Sequence, residues 1–391
     1  MAARDSLVTH WPDPLAGGAD PLAEPPLAEP WTKTAWRRYL DRTEPAHPPK
    51  VTRQAYDRMS LDRAAAYDRA RDRYHSSLAV FNTPLIDALS AKLGSLLAIN
   101  QHAQPGARTG LVVSGPTRIG KSTAVKALLA DYERSLRTRH PDYFVRRGDE
   151  YVPVGYLQMP EKASVKALLQ TLAVYYELDQ PDKATTTLLQ HVVTKAMSLS
   201  GTSILVIDDL HFLDVGKEAG QEANNMLKAL ANTTGATFVA IGVDLEAGQL
   251  FTEGPGNSRK TQTSGRYSLL SPQRYQVNTK AAATSWVNLV KTFEDHLVLL
   301  DQPVNSITEH WQYLHRRTGG SICSLSQLMR EAAFRVQGTG FERITVETLD
   351  EITIDYASEY EFRKHLEELR DRAVSTTRRA SGAGASRQRT A

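Results

Sequence analysis

From Gly115 to Thr123 the chain reads GPTRIGKST, which meets the spacing G-x-x-x-x-G-K-[ST] at every fixed position. This loop constrains the fold strongly, because its chemistry works only where a buried strand runs into a helix. Gly115 and Gly120 let the backbone turn tightly, so that N–H groups along Pro116, Thr117, Arg118 and Ile119 (proline's excepted) face the phosphates of a nucleoside triphosphate. Lys121 then reaches the β and γ oxygens, and Ser122 offers its hydroxyl to Mg²⁺. Thr123 opens a helix whose N-terminal dipole favours an anion. The flanks agree: Leu111-Val112-Val113-Ser114 reads as a short buried strand, and Ala124 to Leu129 as the start of an amphipathic helix. A surface Gly/Ser loop would lack that context.

A triphosphatase of this kind also needs an acidic residue at the end of a neighbouring buried strand, to hold the metal, and a second group to orient the attacking water. Ser203-Ile204-Leu205-Val206-Ile207 is a continuous apolar run of the type buried on both faces in parallel sheets, and it ends in Asp208-Asp209. Asp208 is the candidate metal carboxylate. Asp209 stands where the water-activating carboxylate belongs but is one methylene shorter than the usual Glu, so slow hydrolysis is expected. ATP and Mg²⁺ are the cofactors this pair of motifs implies.

The surrounding sequence narrows the class further. Of 391 residues, 41% are hydrophobic and 23% charged, an ordinary globular balance with room for one large core or two modest ones. Cys323 is the single cysteine, which excludes an internal disulfide framework. No run approaches the ~18 apolar residues of a membrane span, and the N-terminus does not resemble a secretory signal, so the chain is expected in the cytoplasm. A net charge of +3 is too small to argue nucleic-acid binding on its own.

Alternating strands and helices follow the loop. Val152–Gln158, Ala236–Val243 and Tyr267–Leu270 are further strands, with helices over Ser164–Tyr176 and Gly216–Ala231 between them. Such alternation predicts an α/β fold, a parallel sheet flanked by helices on both faces. After Leu270 only helical periodicity remains, over Thr284–Leu300, Ile307–His315, Ser324–Val336 and Val346–Tyr356. The expected division is a Pro-rich disordered leader over 1–50, a helical arm over 51–105, the α/β domain over 106–275, a helical lid over 276–356 and a flexible basic tail over 357–391. Arginines and aspartates alternate between 53 and 80, as in an exposed helix laced with ion pairs. Trp31, Trp36 and Tyr39 beside Arg37, Arg38 and Arg42 form an aromatic-basic cluster, either a docking peptide for another protein or a piece packed on the domain itself.

Together the loop, the strand-terminal Asp-Asp and the trailing helices resemble an AAA+ ATPase. Four segments are similar to the TniB/TnsC transposition ATPases: GPTRIGKS, VPVGYLQMP ending at Pro160, IDDLHFL from Ile207 to Leu213, and TGGSICSLSQLMREAA from Thr318 to Ala333. That resemblance covers about residues 55–356. It implies a regulator that forms a ring or helical filament on double-stranded DNA, recruits a DDE transposase, leaves room for a target-selection protein, and disassembles as ATP is hydrolysed. It also implies an arginine supplied across the subunit interface, for which Arg266 is the candidate, with Arg259 and Lys260 next. Val243 stands where the family carries a polar sensor, so Asp244 is the substitute, and Arg330 is a candidate second sensor in the lid. Lys162, Lys166, Arg146 and Arg147 are candidate contacts to the DNA backbone, the last two on an adjoining loop. His211 has no metal-ligand spacing around it and is expected to be structural. Two other readings stay open: an AAA+ ATPase of another class, such as a helicase loader, a secretion-associated ATPase or a mobile-element defence ATPase, and a nucleotide-binding scaffold with little turnover.

Overall fold

The computed structural model describes residues 29–368, apart from 43, 78–79, 105, 148–149, 162–163, 180–183, 214–216 and 247–265. The leader up to residue 28, Lys162, Arg259, Lys260 and the tail arginines from Arg370 onward lie outside the described residues.

Five parallel strands form one sheet: β1 (Gly110–Ser114), β2 (Val154–Gln158), β3 (Ile204–Asp208), β4 (Thr237–Gly242) and β5 (Tyr267–Leu270), in the order β2-β3-β4-β1-β5. Every residue of β1, β3 and β4 is buried, as expected of strands covered on both faces, whereas β5 at the edge is only half-buried. α4 (Pro84–Gln101) packs on α5 (Lys121–Arg139), and α7 (Val165–Tyr175) on α8 (Thr186–Leu199) and α9 (Lys217–Thr234). The helix α8 is absent from the sequence-based expectations, although Leu189, Val193 and Met197 recur at its buried face and Thr185 caps it through Leu188 N–H.

The register matters for function. Ser114 of β1 pairs with Gly242 of β4, and Gln158 of β2 with Asp208 of β3. Because all strands run the same way, the loop after β1, the acids at the end of β3 and the turn after β4 share one edge. β4, later in the chain, lies between β1 and β3, and the crevice at such a reversal of strand order is where ligands of open α/β sheets bind.

A second apolar core runs from Trp286 to Ile354. It is built by α10 (Lys280–His296), α11 (Trp311–Thr318), α12 (Ile322–Val336) and α13 (Val346–Asp350), with a further helix, α14, over 356–368. Three expectations need correction here. The first lid helix starts at Lys280 rather than Thr284, because the Thr279 side chain accepts from Ala282 N–H and caps it. The span Val346–Tyr356 is two helices, broken where Ile352 and Ile354 bury themselves in the core and Asp355 caps the next helix through Ser358 N–H. The chain beyond 356 therefore does not begin the tail: Ser358 is buried and Glu359 pairs with Arg317.

The N-terminal arm also departs from the exposed helix expected. In α3 (Leu61–Ser76), Arg71, Tyr74 and His75 are buried, and the helix packs against α12 of the lid. Arg71 donates to both Glu342 carboxylate oxygens and to Asp68, and its guanidinium lies 5.0 Å from the Tyr67 ring centroid. The aromatic-basic cluster is resolved in favour of the molecule's own surface. α1 (Lys33–Asp41) buries Trp36 and Leu40 against the α/β core, while Trp31 remains 60% exposed. Among the described residues, no helix is long and apolar enough to cross a membrane.

Candidate functional site

Between β1 and α5 the loop is shaped by two glycines. A Cβ on Gly115 would sit 2.4 Å from the Pro272 carbonyl oxygen, and Gly120 holds φ at +82°, so neither position takes a side chain without strain. Gly120 is also the N-cap of α5 and brings no side-chain cap, which leaves the first N–H groups of that helix to an external acceptor. Lys121 is buried, and its ammonium donates to the carbonyls of Gly115 at 2.7 Å and Pro116 at 2.5 Å. Burial pushes its pKa down, against the opposing pull of Asp208, Asp209 and Asp244. All three sequence-predicted acids thus converge electrostatically on the loop lysine.

Asp208 is buried at the end of β3. Burial raises its pKa, while hydrogen bonds from the Tyr156 hydroxyl and the Ser122 hydroxyl hold it down. Ser122 and Asp208, expected to share a metal, thus lie at the same edge of the sheet, one opening the helix after β1 and the other ending β3. Asp209 takes the left-handed conformation, φ +53°, which Asp tolerates better than most residues. Its carboxylate accepts from the Gln158 side-chain amide at 2.7 Å. Neither Tyr156 nor Gln158 was singled out from sequence. Both lie on β2 two residues apart, hence on one face, but only the pairing of β2 with β3 brings them to the acids.

Arg118 ties the loop to the lid. Its carbonyl accepts from Ser321 Oγ at 2.8 Å, and its guanidinium pairs with Asp355 at 3.2 Å. Beside Gly120 and Thr123 opens a cavity of about 560 Å³, walled by Phe81, Ile86, Phe293, Ile322 and Phe334. A volume of this size suits a small organic ligand such as a nucleoside. The sequence signal for that wall was apolar residues in three separate segments, indistinguishable from core until the lid closes over the loop. Arg330 lines the same cavity, but its guanidinium donates to the carbonyls of His75 and Ser76 at the end of α3.

The remaining candidates sit elsewhere. Arg266 stands just before β5, with its carbonyl accepting from Gly110 N–H at the start of β1. It is therefore a strand length, about 16 Å, from the phosphate loop of its own chain. Lys166 is exposed near the start of α7. Arg146 and Arg147 belong to the helix α6 (Pro141–Arg147) and not to a loop; Arg146 is exposed, and the Arg147 side chain lies outside what is described. His211 is exposed and lies against Phe212, 4.2 Å between ring centroids.

A parallel sheet in this order, a phosphate-type loop after β1, acids after β3 and a helical lid define a P-loop fold of AAA+ architecture. The family model described as the bacterial TniB protein matches residues 79–263, and over that stretch this chain is TniB-like. Among solved structures it is similar to the Cdc6 protein of Pyrobaculum aerophilum, at 15% identity over 71% of this chain and 69% of that one, with a TM-score of 0.50. It is also similar to the ORC1 protein of Aeropyrum pernix in complex with DNA, at 15% identity, 70% and 64% coverage and a TM-score of 0.47. The chain thus spans 64% of the length of that ORC1 protein. At such identities the likeness concerns the fold. No curated protein matches the chain.

Proposed function

We propose that this protein is a Mg²⁺-dependent ATPase that assembles on double-stranded DNA as a ring or helical filament, recruits or activates a DDE transposase in that state, and is released as ATP is hydrolysed. The observation that carries the reading is the placement of Lys121 and Ser122, at the start of α5, and of Asp208 and Asp209, at the end of β3, along one edge of the sheet, with Arg266 at the other edge.

The residues present fit the cofactors. Ser122 and Asp208 supply only one hydroxyl and one carboxylate, a sparse oxygen set that suits Mg²⁺ shared with phosphate oxygens and water. Bound there, the ion would neutralise charge between the β- and γ-phosphates. Lys121 turns from the Gly115 and Pro116 carbonyls to phosphate oxygens, and the N–H groups after Gly120 complete the anion cradle. The cavity under Phe81 and Ile322 receives the base. Asp209 orients the attacking water, with Gln158 setting the direction of its carboxylate. Arg266, unable to reach its own loop, serves the site of a neighbouring copy, so that nucleotide at the interface holds the assembly together. Lys162, Lys166, Arg146 and Arg147 would track the DNA backbone, giving binding that is salt-sensitive and largely independent of sequence.

Negative-stain images of the protein with double-stranded DNA and a non-hydrolysable ATP analogue test this directly. Rings or filaments are expected; bare DNA would overturn the proposal. A second reading, a nucleotide-dependent scaffold with little turnover, is favoured by the Gln158 bond that ties up the short Asp209 side chain. Phosphate release with and without DNA decides between them.

A further inference from the structure

We propose that Tyr156 is a positioning residue for Asp208, and that the N-terminal helix α1 holds Tyr156 in place, so that the site's grip on its metal depends on docking of the segment from Glu29 to Asp41. The proposal rests on Asp208 being the metal carboxylate.

Tyr156 is 2% exposed, and its hydroxyl donates to Asp208 Oδ2. The other oxygen, Oδ1, accepts from Asp209 N–H at 2.9 Å. With both oxygens engaged the carboxylate plane cannot rotate, and the direction of its remaining lone pairs is fixed. A buried carboxylate deprived of one donor turns toward whatever donor is left, and a misoriented ligand loses affinity for its metal.

Tyr156 is itself held between two elements. The Trp36 ring stacks on it, 5.9 Å between centroids with planes 4° apart, and the Lys126 ammonium of α5 lies 5.6 Å from its ring centroid. Trp36 is fixed in turn, its indole N–H donating to Glu133 at 2.8 Å, where Arg137 pairs with the other carboxylate oxygen at 2.9 Å. Lys126 is tethered to Glu29 at 2.6 Å, so the beginning of the segment clamps the same ring. Contact therefore runs unbroken from α1 through Trp36 and Tyr156 to Asp208. A core tyrosine needing only a satisfied hydroxyl would require neither the parallel indole nor the tethered lysine.

The test uses the full chain and the variant Y156F, which removes one hydroxyl and keeps the ring. ATP hydrolysis is followed against Mg²⁺ at saturating ATP, and binding of a fluorescent ATP analogue is measured in EDTA. The half-saturating Mg²⁺ concentration is expected to rise about tenfold, as for loss of a hydrogen bond to a charged group. Turnover should recover at saturating Mg²⁺, and metal-free nucleotide binding should be unchanged. Where hydrolysis is too slow to follow, the Mg²⁺-dependent gain in analogue affinity supplies the same curve. An unshifted curve overturns the proposal. W36F should shift the curve in the same direction alone and add nothing in the Y156F background; additive shifts would remove α1 from the proposal. D208A separates the two levels of inference. If it abolishes the Mg²⁺ dependence while Y156F changes nothing, the positioning role falls alone; if it leaves the curve intact, the site assignment falls with it.

Discussion

Asp209 and His75 show how far single side chains carry consequences. Asp209→Asn keeps the shape of the left-handed turn but removes the group proposed to orient water. Turnover should fall on the order of a hundredfold while ATP is retained, and the lifetime on DNA, followed by dissociation after dilution, should lengthen. An unaltered rate would assign the water to another residue. His75 is buried between α3 and the lid, with Nδ1 against Gln337 Oε1 at 3.1 Å and Nε2 accepting from Val298 N–H at 3.1 Å. Burial, first, and the neighbouring Arg71 charge depress its pKa to about 4, against a partial offset from Gln337. Unfolded, the ring titrates near the ordinary value of about 6.5. Between those two values the unfolded chain binds the extra proton and the folded one does not. Stability should therefore fall as pH drops through that window, by about 3 kcal/mol in all, and level off below it. Urea midpoints from pH 7.5 to 4 check the slope, which should shrink in His75→Gln.

At the scale of elements, the docking of α3 on the lid depends on a buried charge. Arg71 and Glu342 are both almost fully buried, so Arg71→Ala leaves an unpaired carboxylate and should cost about 3–5 kcal/mol. Replacing both partners, Arg71→Met with Glu342→Leu, should recover most of that loss, measured by urea denaturation followed through tryptophan fluorescence. A double variant as unstable as the single would mean that the pair's other contacts, to Asp68 and Val298, dominate. Strands were the most legible elements, since apolar runs such as Ile204–Ile207 have few other uses. Helix ends were less so: a threonine cap at 279 and an Asp355 cap after two buried isoleucines changed boundaries that apolar spacing alone suggested. The alternation of Arg and Asp in α3 predicts a solvated helix, and it was misleading because pairing lets charges go inside when the partner comes from a distant segment.

For the whole molecule, the separation of Arg266 from its own phosphate loop makes a prediction about assembly. Arg266→Ala and Asp209→Asn should each be nearly inactive, yet a mixture should regain activity, because the second variant can lend its arginine to the intact site of the first. With random mixing, roughly a quarter of the interfaces would be competent. No recovery in the mixture would mean that Arg266 does not act across an interface. The phosphate loop, the Asp-Asp pair and the α/β-then-helical order were legible from sequence, because each depends on residues adjacent in the chain whose spacing the local backbone dictates. Strand order, the Gln158 and Tyr156 contacts to the acids, the Arg118 link to the lid and the stacking of Trp36 were decided only in three dimensions. They join residues from 33 to 237 positions apart, by contacts that no periodicity encodes and that exist only once two apolar cores have closed around one edge of a sheet.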